Sequence, residues 1–212
     1  MTRNMTAADD DRRIDIDPEQ TNVVPLDRDV IDLLARRRRE TGSRPAYWTD
    51  SLDADRVGVA GEAAVALRYD LPSPTDTDVT GDGGVDFAVA NQGRLERWDV
   101  KATRHADPSL MVPREYVGPA DGYLVVTVHE AGDGSLFGIL VGFARAERAI
   151  RPANLTESKG GGVHYELATD ALGPIPDPEA VTAVDETHPD HPATHREGVP
   201  PGTAPQSPEV VR

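Results

Sequence analysis

The sequence lacks cysteine, holds only two lysines, Lys101 and Lys159, and is poor in aromatic residues, which make up 5% of its 212 residues. Without cysteine the chain can form no disulfide, no thiolate metal site and no cysteine nucleophile. It also lacks an apolar run of the roughly 18 residues that a membrane span needs, and it does not open with a charged-then-apolar secretory signal. We therefore expect a cytoplasmic protein that has no membrane partner.

Negative charge dominates the composition, with 37 acidic residues against 22 basic ones and a formal net charge of −15. Apart from the two lysines, all of these basic residues are arginines. An acid-rich composition with little lysine and no cysteine is typical of proteins from a salt-loaded cytoplasm. We interpret the chain as a protein of a halophilic archaeon or its virus, and the alternative is an ordinary acidic protein with disordered ends.

Composition divides the chain into three parts. Residues 1–27 are acidic and polar, and residues 176–212 are rich in Pro, Asp, Glu and Thr, so both are predicted to be disordered acidic tails. Residues 28–175 carry the apolar runs and are predicted to form one domain.

Periodicity within this domain predicts an α/β fold, with a mixed central β-sheet of about four or five strands flanked by helices. The predicted helices span residues 29–40, residues 53 or 55 to about 69, and residues 144–150. Strands are predicted at residues 123–128, 136–142 and 163–168, of which the first two are apolar enough to lie in the centre of a sheet covered on both faces.

A predicted β-hairpin organises the domain. Its two strands follow the glycine-rich residues 81–84 and flank a loop at residues 91–93. Because side chains alternate along a strand, Asp99 and Lys101 share one face of the second strand. The other face, which is expected to lie against the core, carries the apolar residues Trp98, Val100 and Ala102. With Asp86 at the start of the first strand, this pattern of two carboxylates and one ammonium suits a divalent cation and a phosphate.

Asp86, followed thirteen residues later by Asp99-Val100-Lys101, resembles the core of the PD-(D/E)xK nucleases. The resemblance covers roughly residues 55–143, and it departs from the common pattern at Val85, where the family often has proline. It implies a restriction-endonuclease-like core and a metal-dependent nuclease that hydrolyses phosphodiester bonds, with Mg²⁺ or Mn²⁺ as cofactor.

The resemblance also implies roles for individual residues. Asp86 and Asp99 would be the main metal ligands, with the carbonyl of Val100 as a third. Glu62, on the preceding helix, would be the family's helical acid and would join the metal directly or through water. Lys101 would lie beside the scissile phosphate and the attacking water.

The expected nucleic-acid contacts are four consecutive arginines, Arg36, Arg37, Arg38 and Arg39, together with Arg104, which follows the hairpin. As a phosphate-binding patch the run would contact the backbone of DNA, the preferred substrate, or of RNA. The alternative is that arginines at the end of a helix complement its macrodipole. Both a monomer and a homodimer are compatible with the sequence.

Two other functions remain open at this point. One is a noncatalytic nucleic-acid or protein-binding module that retains the nuclease fold, although all four residues expected in catalysis, Glu62, Asp86, Asp99 and Lys101, are present. The other is a small-molecule or nucleotide-processing enzyme, which no glycine-rich phosphate loop of the P-loop or Rossmann kind supports.

Overall fold

The computed structural model describes residues 22–40, 52–72, 85–158 and 160–184, and within these ranges the chain forms nine strands and three α-helices. The strands are β1 (Val23–Leu26), β2 (Phe87–Asn91), β3 (Arg94–Thr103), β4 (Leu110–Pro113), β5 (Gly122–Glu130), β6 (Leu136–Arg145), β7 (Leu155–Glu157), β8 (Val163–Leu167) and β9 (Val181–Ala183). The helices are α1 (Arg28–Glu40), α2 (Leu52–Tyr69) and α3 (Ala146–Ala149). The longest of these helices is not apolar enough to cross a membrane, and neither is any other described helix.

The central sheet is mixed, as predicted, but it has six strands in the order β1-β6-β5-β3-β2-β9. Only β3 and β5 run parallel among these described strands; the other neighbours are antiparallel. The prediction of four or five strands was wrong because both edge strands come from segments expected to be tails. β5 lies inside the sheet and is buried from Gly122 to Val128, which confirms the predicted central strand.

The two faces of the sheet pack against different partners. Leu124 and Val126 of β5 join the core beneath α2, whereas Tyr123 and Val125 point to a second apolar cluster on the opposite face. A three-stranded sheet, β4-β8-β7, and the short helix α3 contribute to that second cluster. The sheet is flanked by helices, as predicted: α1 and α2 pack on one face, and the short helix α3 packs together with the small sheet on the other. β8 (Val163–Leu167) confirms the strand predicted over residues 163–168, whereas β4 and β7 were not predicted because their apolar pattern is weak.

The two long helices begin and pack for identifiable reasons. Asp27 caps α1, because its carboxylate accepts hydrogen bonds from the backbone N–H groups of Asp29 and Val30 at 3.0 and 3.2 Å. α2 approaches β3 so closely that a Cβ at Gly61 would lie 2.5 Å from the Cβ of Ala102. The small residues of α2 thus permit close packing on the sheet, as predicted.

The hairpin of β2 and β3 forms with a shorter turn than predicted. Asn91 pairs with Arg94, which leaves Gln92 and Gly93 as the two loop residues. Both have positive φ, 51° and 75°, as a type I′ turn requires. β6 also extends further than predicted, to Arg145, so the helix expected over residues 144–150 is confined to α3.

Both predicted tail boundaries require correction. Residues 23–26 were placed in the N-terminal tail but form β1, which pairs with β6. Residues 181–183 were placed in the C-terminal tail but form β9, which pairs with β2, and the Tyr69 hydroxyl donates to the carbonyl of Pro176 at 3.0 Å. Residues 1–21, 73–84 and 185–212, including most of both predicted tails and the glycine-rich approach, lie outside the described residues.

Candidate functional site

The Asp99–Lys101 pair on β3 is the centre of the candidate site. The Lys101 ammonium lies 2.7 Å from Oδ1 and 2.6 Å from Oδ2 of Asp99, so the two side chains share a face as the alternation predicts. This face is less open than expected, because Asp99 is only 3% exposed, while the side chain of Lys101 is 30% exposed. The apolar cluster containing Tyr123 lies on the same side of the sheet and accounts for that burial.

Asp86 is held at the start of the hairpin by backbone contacts. Its carboxylate Oδ2 accepts a hydrogen bond from the Val100 N–H at 2.6 Å, and its own N–H donates to the carbonyl of Trp98 at 2.8 Å. The side chain thus extends the β2–β3 ladder beyond the first residue of β2. Phe87 pairs with Trp98 in the antiparallel register. Asp86, which precedes Phe87, therefore lies opposite Asp99, which follows Trp98. The structure therefore brings the predicted Asp86 to Val100, the residue between Asp99 and Lys101.

Glu62 has a strong partner that the sequence did not predict. Nη1 of Arg38 donates to Oε1 of Glu62 at 2.8 Å, and Nη2 binds Oε2 in a second, parallel contact. Glu62 is 6% exposed, so α1 and α2 are joined by a largely buried, bidentate ion pair. A Cβ at Gly58 would lie 3.3 Å from Nη1 of Arg38, so the missing side chain leaves space for the guanidinium.

The electrostatics around Arg38 connect this ion pair to the hairpin. Burial disfavours the charged guanidinium, but the hydrogen bond and the charge of Glu62 outweigh it, and the pKa of Arg38 is raised. The carboxylates of Asp86 and Asp55 act in the same direction. Two residues expected in catalysis, Glu62 and Asp86, thus act on the same arginine.

The fit of a metal to these residues depends on two carboxylates. In the described parts of the chain, no group of three or more His, Asp or Glu side chains is arranged to hold a metal ion. Mg²⁺ nevertheless takes hard oxygen ligands and commonly uses one or two carboxylates together with waters and substrate phosphates. The chemistry of Asp86 and Asp99 fits such an ion, whereas Glu62 is held by Arg38.

The remaining predicted nucleic-acid contacts differ in accessibility. Arg36 and Arg37 are exposed on α1, and Arg39 lies 3.7 Å from the Asp55 carboxylate. Arg104 is exposed and pairs with Asp53 at 2.8 Å. The arginines of the run therefore do not form one uniform patch, because Arg38 is turned towards α2 while Arg36 and Arg37 face solvent.

Sequence reasoning missed a buried polar network on the core face of β3. Glu96 is 1% exposed and accepts hydrogen bonds from the Asn91 amide at 3.2 Å and from the indole N–H of Trp98 at 2.9 Å. The Arg145 guanidinium contacts the same carboxylate at 2.5 Å. The sequence contained a signal for this network. Glu96 lies on the same face of β3 as Trp98, and an acidic side chain on the core face needs a buried hydrogen-bond partner.

Sequence reasoning also missed Tyr123, a buried tyrosine beside Asp99, because it looks like an ordinary apolar residue of β5.

Comparisons with known proteins add no assignment, since no family model, no curated protein and no solved structure matches this chain.

Proposed function

We propose that the chain is a metal-dependent nuclease with a restriction-endonuclease-like core, which hydrolyses phosphodiester bonds in DNA. The observation that carries the proposal is the position of Asp86, whose carboxylate binds the backbone of Val100 between the paired side chains of Asp99 and Lys101. Two carboxylates and one ammonium therefore lie within a short stretch of the hairpin.

Asp86 and Asp99 would hold Mg²⁺ or Mn²⁺, with the Val100 carbonyl as the further ligand that the family resemblance implies. When bound, the ion neutralises charge that develops on the phosphate and lowers the pKa of a water molecule. Lys101 is the accessible member of the pair, since 30% of its side chain is exposed against 5% of that of Asp99. Its role is to bind the scissile phosphate and to stabilise negative charge in the transition state.

The expected role of Glu62 requires Arg38 to exchange partners. A guanidinium binds a phosphate in the same bidentate geometry that it uses for a carboxylate. If Arg38 moved to a DNA phosphate, Glu62 would become available to the metal or its waters. Arg36, Arg37, Arg39 and Arg104 would supply further phosphate contacts of lower specificity.

A second candidate function is favoured by the Arg38–Glu62 ion pair and by the absence, in the described residues, of a three-residue metal group. These features suit a noncatalytic nucleic-acid or protein-binding module that keeps the nuclease fold. The two proposals differ in one result, since only the nuclease breaks phosphodiester bonds.

The test uses the purified full chain with supercoiled, linear and branched DNA and with RNA. Each substrate is incubated with Mg²⁺, with Mn²⁺ or with EDTA, over KCl concentrations from 0.1 M into the molar range. The nuclease proposal predicts metal-dependent cleavage of DNA that EDTA stops and that the Asp99→Asn variant lacks. Binding of DNA without cleavage under all of these conditions would favour the noncatalytic module.

A further inference from the structure

The two members of the Arg38–Glu62 ion pair differ in their access to solvent. The Glu62 side chain is 8% exposed, whereas that of Arg38 is 23% exposed. Nη1 of Arg38 donates to Oε1 of Glu62 at 2.8 Å, and Nη2 binds Oε2, so both carboxylate oxygens are engaged. An anion that approaches from solvent can therefore reach the guanidinium more easily than the carboxylate behind it.

This arginine belongs to the part of α1 where a nucleic acid is expected to bind. Its neighbours Arg36, Arg37 and Arg39 are exposed. A guanidinium binds phosphate oxygens in the same planar, two-point geometry that it uses for a carboxylate, so the two kinds of anion compete directly for it. Since Glu62 already engages both Nη groups, a phosphate can form a two-point contact with Arg38 only by displacing that carboxylate.

Several features of the fold favour the internal carboxylate in this competition. A Cβ at Gly58 would lie 3.3 Å from Nη1 of Arg38, so α2 leaves space for the guanidinium. The carboxylates of Asp55 and Asp86 add to the negative charge that attracts it. Separation of the pair is also costly, because it leaves the buried charge of Glu62 uncompensated. A phosphate must therefore displace a strong internal partner before it can bind Arg38.

We propose that Glu62 is an autoinhibitory residue, which competes with the phosphates of a nucleic acid for Arg38 and thereby lowers the affinity of the chain for them. This inference rests on the proposed function and adds the regulation of its site. It assigns two opposite effects to one side chain, since Glu62 weakens nucleic-acid binding but becomes available to the metal once Arg38 has left it. Neutralising Glu62 should therefore tighten binding and slow cleavage, a combination that a purely structural residue would not produce.

The first experiment measures the binding of a fluorescent DNA duplex by anisotropy, in EDTA so that nothing is cleaved, over a series of KCl concentrations. Glu62→Gln should bind roughly 10-fold more tightly than the wild type, as one additional contact to a charged group provides. The slope of log affinity against log salt should steepen by about one, since one more phosphate is neutralised. Initial cleavage rates at saturating DNA in Mg²⁺ should fall in the same variant.

Two further variants separate the release of Arg38 from other effects. Glu40→Gln removes the same charge from an exposed position of α1, so it measures the general effect of a lower net charge, and its gain in affinity should be clearly smaller. The double variant Arg38→Gln and Glu62→Gln lacks the arginine as well as its competitor, so the gain should disappear. An equal gain in Glu40→Gln, a gain that persists in the double variant, or a folded Glu62→Gln with wild-type affinity would overturn the proposal.

The second experiment uses the wild-type chain, so it does not depend on the folding of Glu62→Gln. The arginine side chains are labelled with ¹⁵N, and the Nε resonance of Arg38 is identified by its absence from the double variant. When the DNA duplex is titrated in EDTA, we expect this resonance to shift, because the guanidinium exchanges a carboxylate for a phosphate. If it stayed in place while other arginine resonances shifted, Glu62 would not be displaced and the proposal would be rejected.

Combined results separate this inference from the proposed nuclease. Tighter binding by Glu62→Gln, without cleavage by the wild type, would support the competition and reject hydrolysis. Cleavage by the wild type, with no gain in Glu62→Gln and no shift of Arg38, would reject the competition and leave the nuclease. Neither binding nor cleavage of DNA by either protein would reject both.

Discussion

Arg38 at the end of α1 binds both carboxylate oxygens of Glu62 on α2. Each residue thereby takes the place of the ligand that the other was predicted to bind. The sequence suggested that Glu62 binds a metal and that Arg38 binds a phosphate. In the structure, a guanidinium takes the place of the cation and a carboxylate that of the anion. The pair also joins two consecutive helices, α1 and α2, so its loss should lower the stability of the fold.

We predict that Arg38→Gln lowers the free energy of unfolding by about 2–3 kcal/mol, because it leaves the Glu62 carboxylate buried without its partner. The double variant Arg38→Met and Glu62→Leu should recover part of this loss, because it removes both charges. Urea unfolding measures both effects. Arg36→Gln, on the exposed face of the same helix, is the control, and an equal loss in that variant would contradict the role of the ion pair.

The Asp99–Lys101 pair gives a prediction for activity. Asp99→Asn and Lys101→Ala should each lower the cleavage rate by at least about 100-fold, as expected for one electrostatic group in a catalytic site. Initial rates on plasmid DNA measure this, and circular dichroism verifies the fold. Asp107→Asn makes the same chemical change on an exposed loop residue and should cleave normally. Folded variants of Asp99 or Lys101 with near-normal rates would remove the nuclease from this hairpin.

Asp121 gives a prediction for pH. Burial opposes its ionisation, but the hydrogen bonds and charge of Arg97 outweigh burial and lower the pKa of Asp121. Because the folded pKa is depressed, this stabilisation is present above the unfolded value of about 3.9 and is lost as pH falls through the folded value.

Asp121→Asn should therefore be less stable than the wild type at pH 7, and the difference should close below about pH 4. Urea unfolding at a series of pH values in constant KCl measures the difference. Arg97→Gln removes the partner of Asp121. In an Arg97→Gln background, Asp121→Asn should therefore cost less stability at pH 7 than it does in the wild type. A wild-type advantage that persists unchanged at low pH would show that the Asp121 charge contributes nothing.

Salt gives the last prediction, where two effects oppose each other. Screening relieves repulsion within a chain of net charge −15, since the Debye length falls from about 10 Å at 0.1 M to about 3 Å at 1 M. The same screening weakens arginine–phosphate contacts. We expect folding and cleavage to improve from 0.1 M into molar KCl, because screening relieves the repulsion and the metal–phosphate contact is short-ranged.

Initial cleavage rates and circular dichroism on the same samples test this expectation across KCl concentrations at fixed Mg²⁺. A protein that is fully folded and most active at 0.1 M KCl would reject the interpretation as a halophilic protein. It would leave the nuclease proposal in place.

The parts of the fold that could be predicted are those specified by local sequence. Alternation placed Asp99 and Lys101 on one face, small residues placed α2 against β3, and the apolar run of β5 placed it inside the sheet. Each of these patterns is contained in a window of fewer than twenty residues. Their physical causes, the pleat and the helical repeat, do not depend on distant partners.

The features that could not be predicted depend on distant segments. β1 and β9 are short, and each becomes a strand because a neighbour offers an unpaired edge. The Arg38–Glu62 contact depends on how α1 packs on α2, which no periodicity specifies. Tyr123 approaches Asp99 only through the parallel pairing of β3 with β5, whose connection contains another strand and a short 3₁₀ helix.

The pairing of β1 with β6 and of β2 with β9 has a consequence for the order of folding. Both edges of the sheet are closed by contacts between residues about ninety or more positions apart in the chain. During synthesis, the hairpins β2–β3 and β5–β6 are complete before β9 has been made, so the outer side of β2 offers unpaired N–H and C=O groups to other chains. Pairing between strands that lie so far apart in the chain is a slow step in folding. The negative charge of the chain therefore also protects the nascent protein, because like charges keep neighbouring unfinished molecules apart.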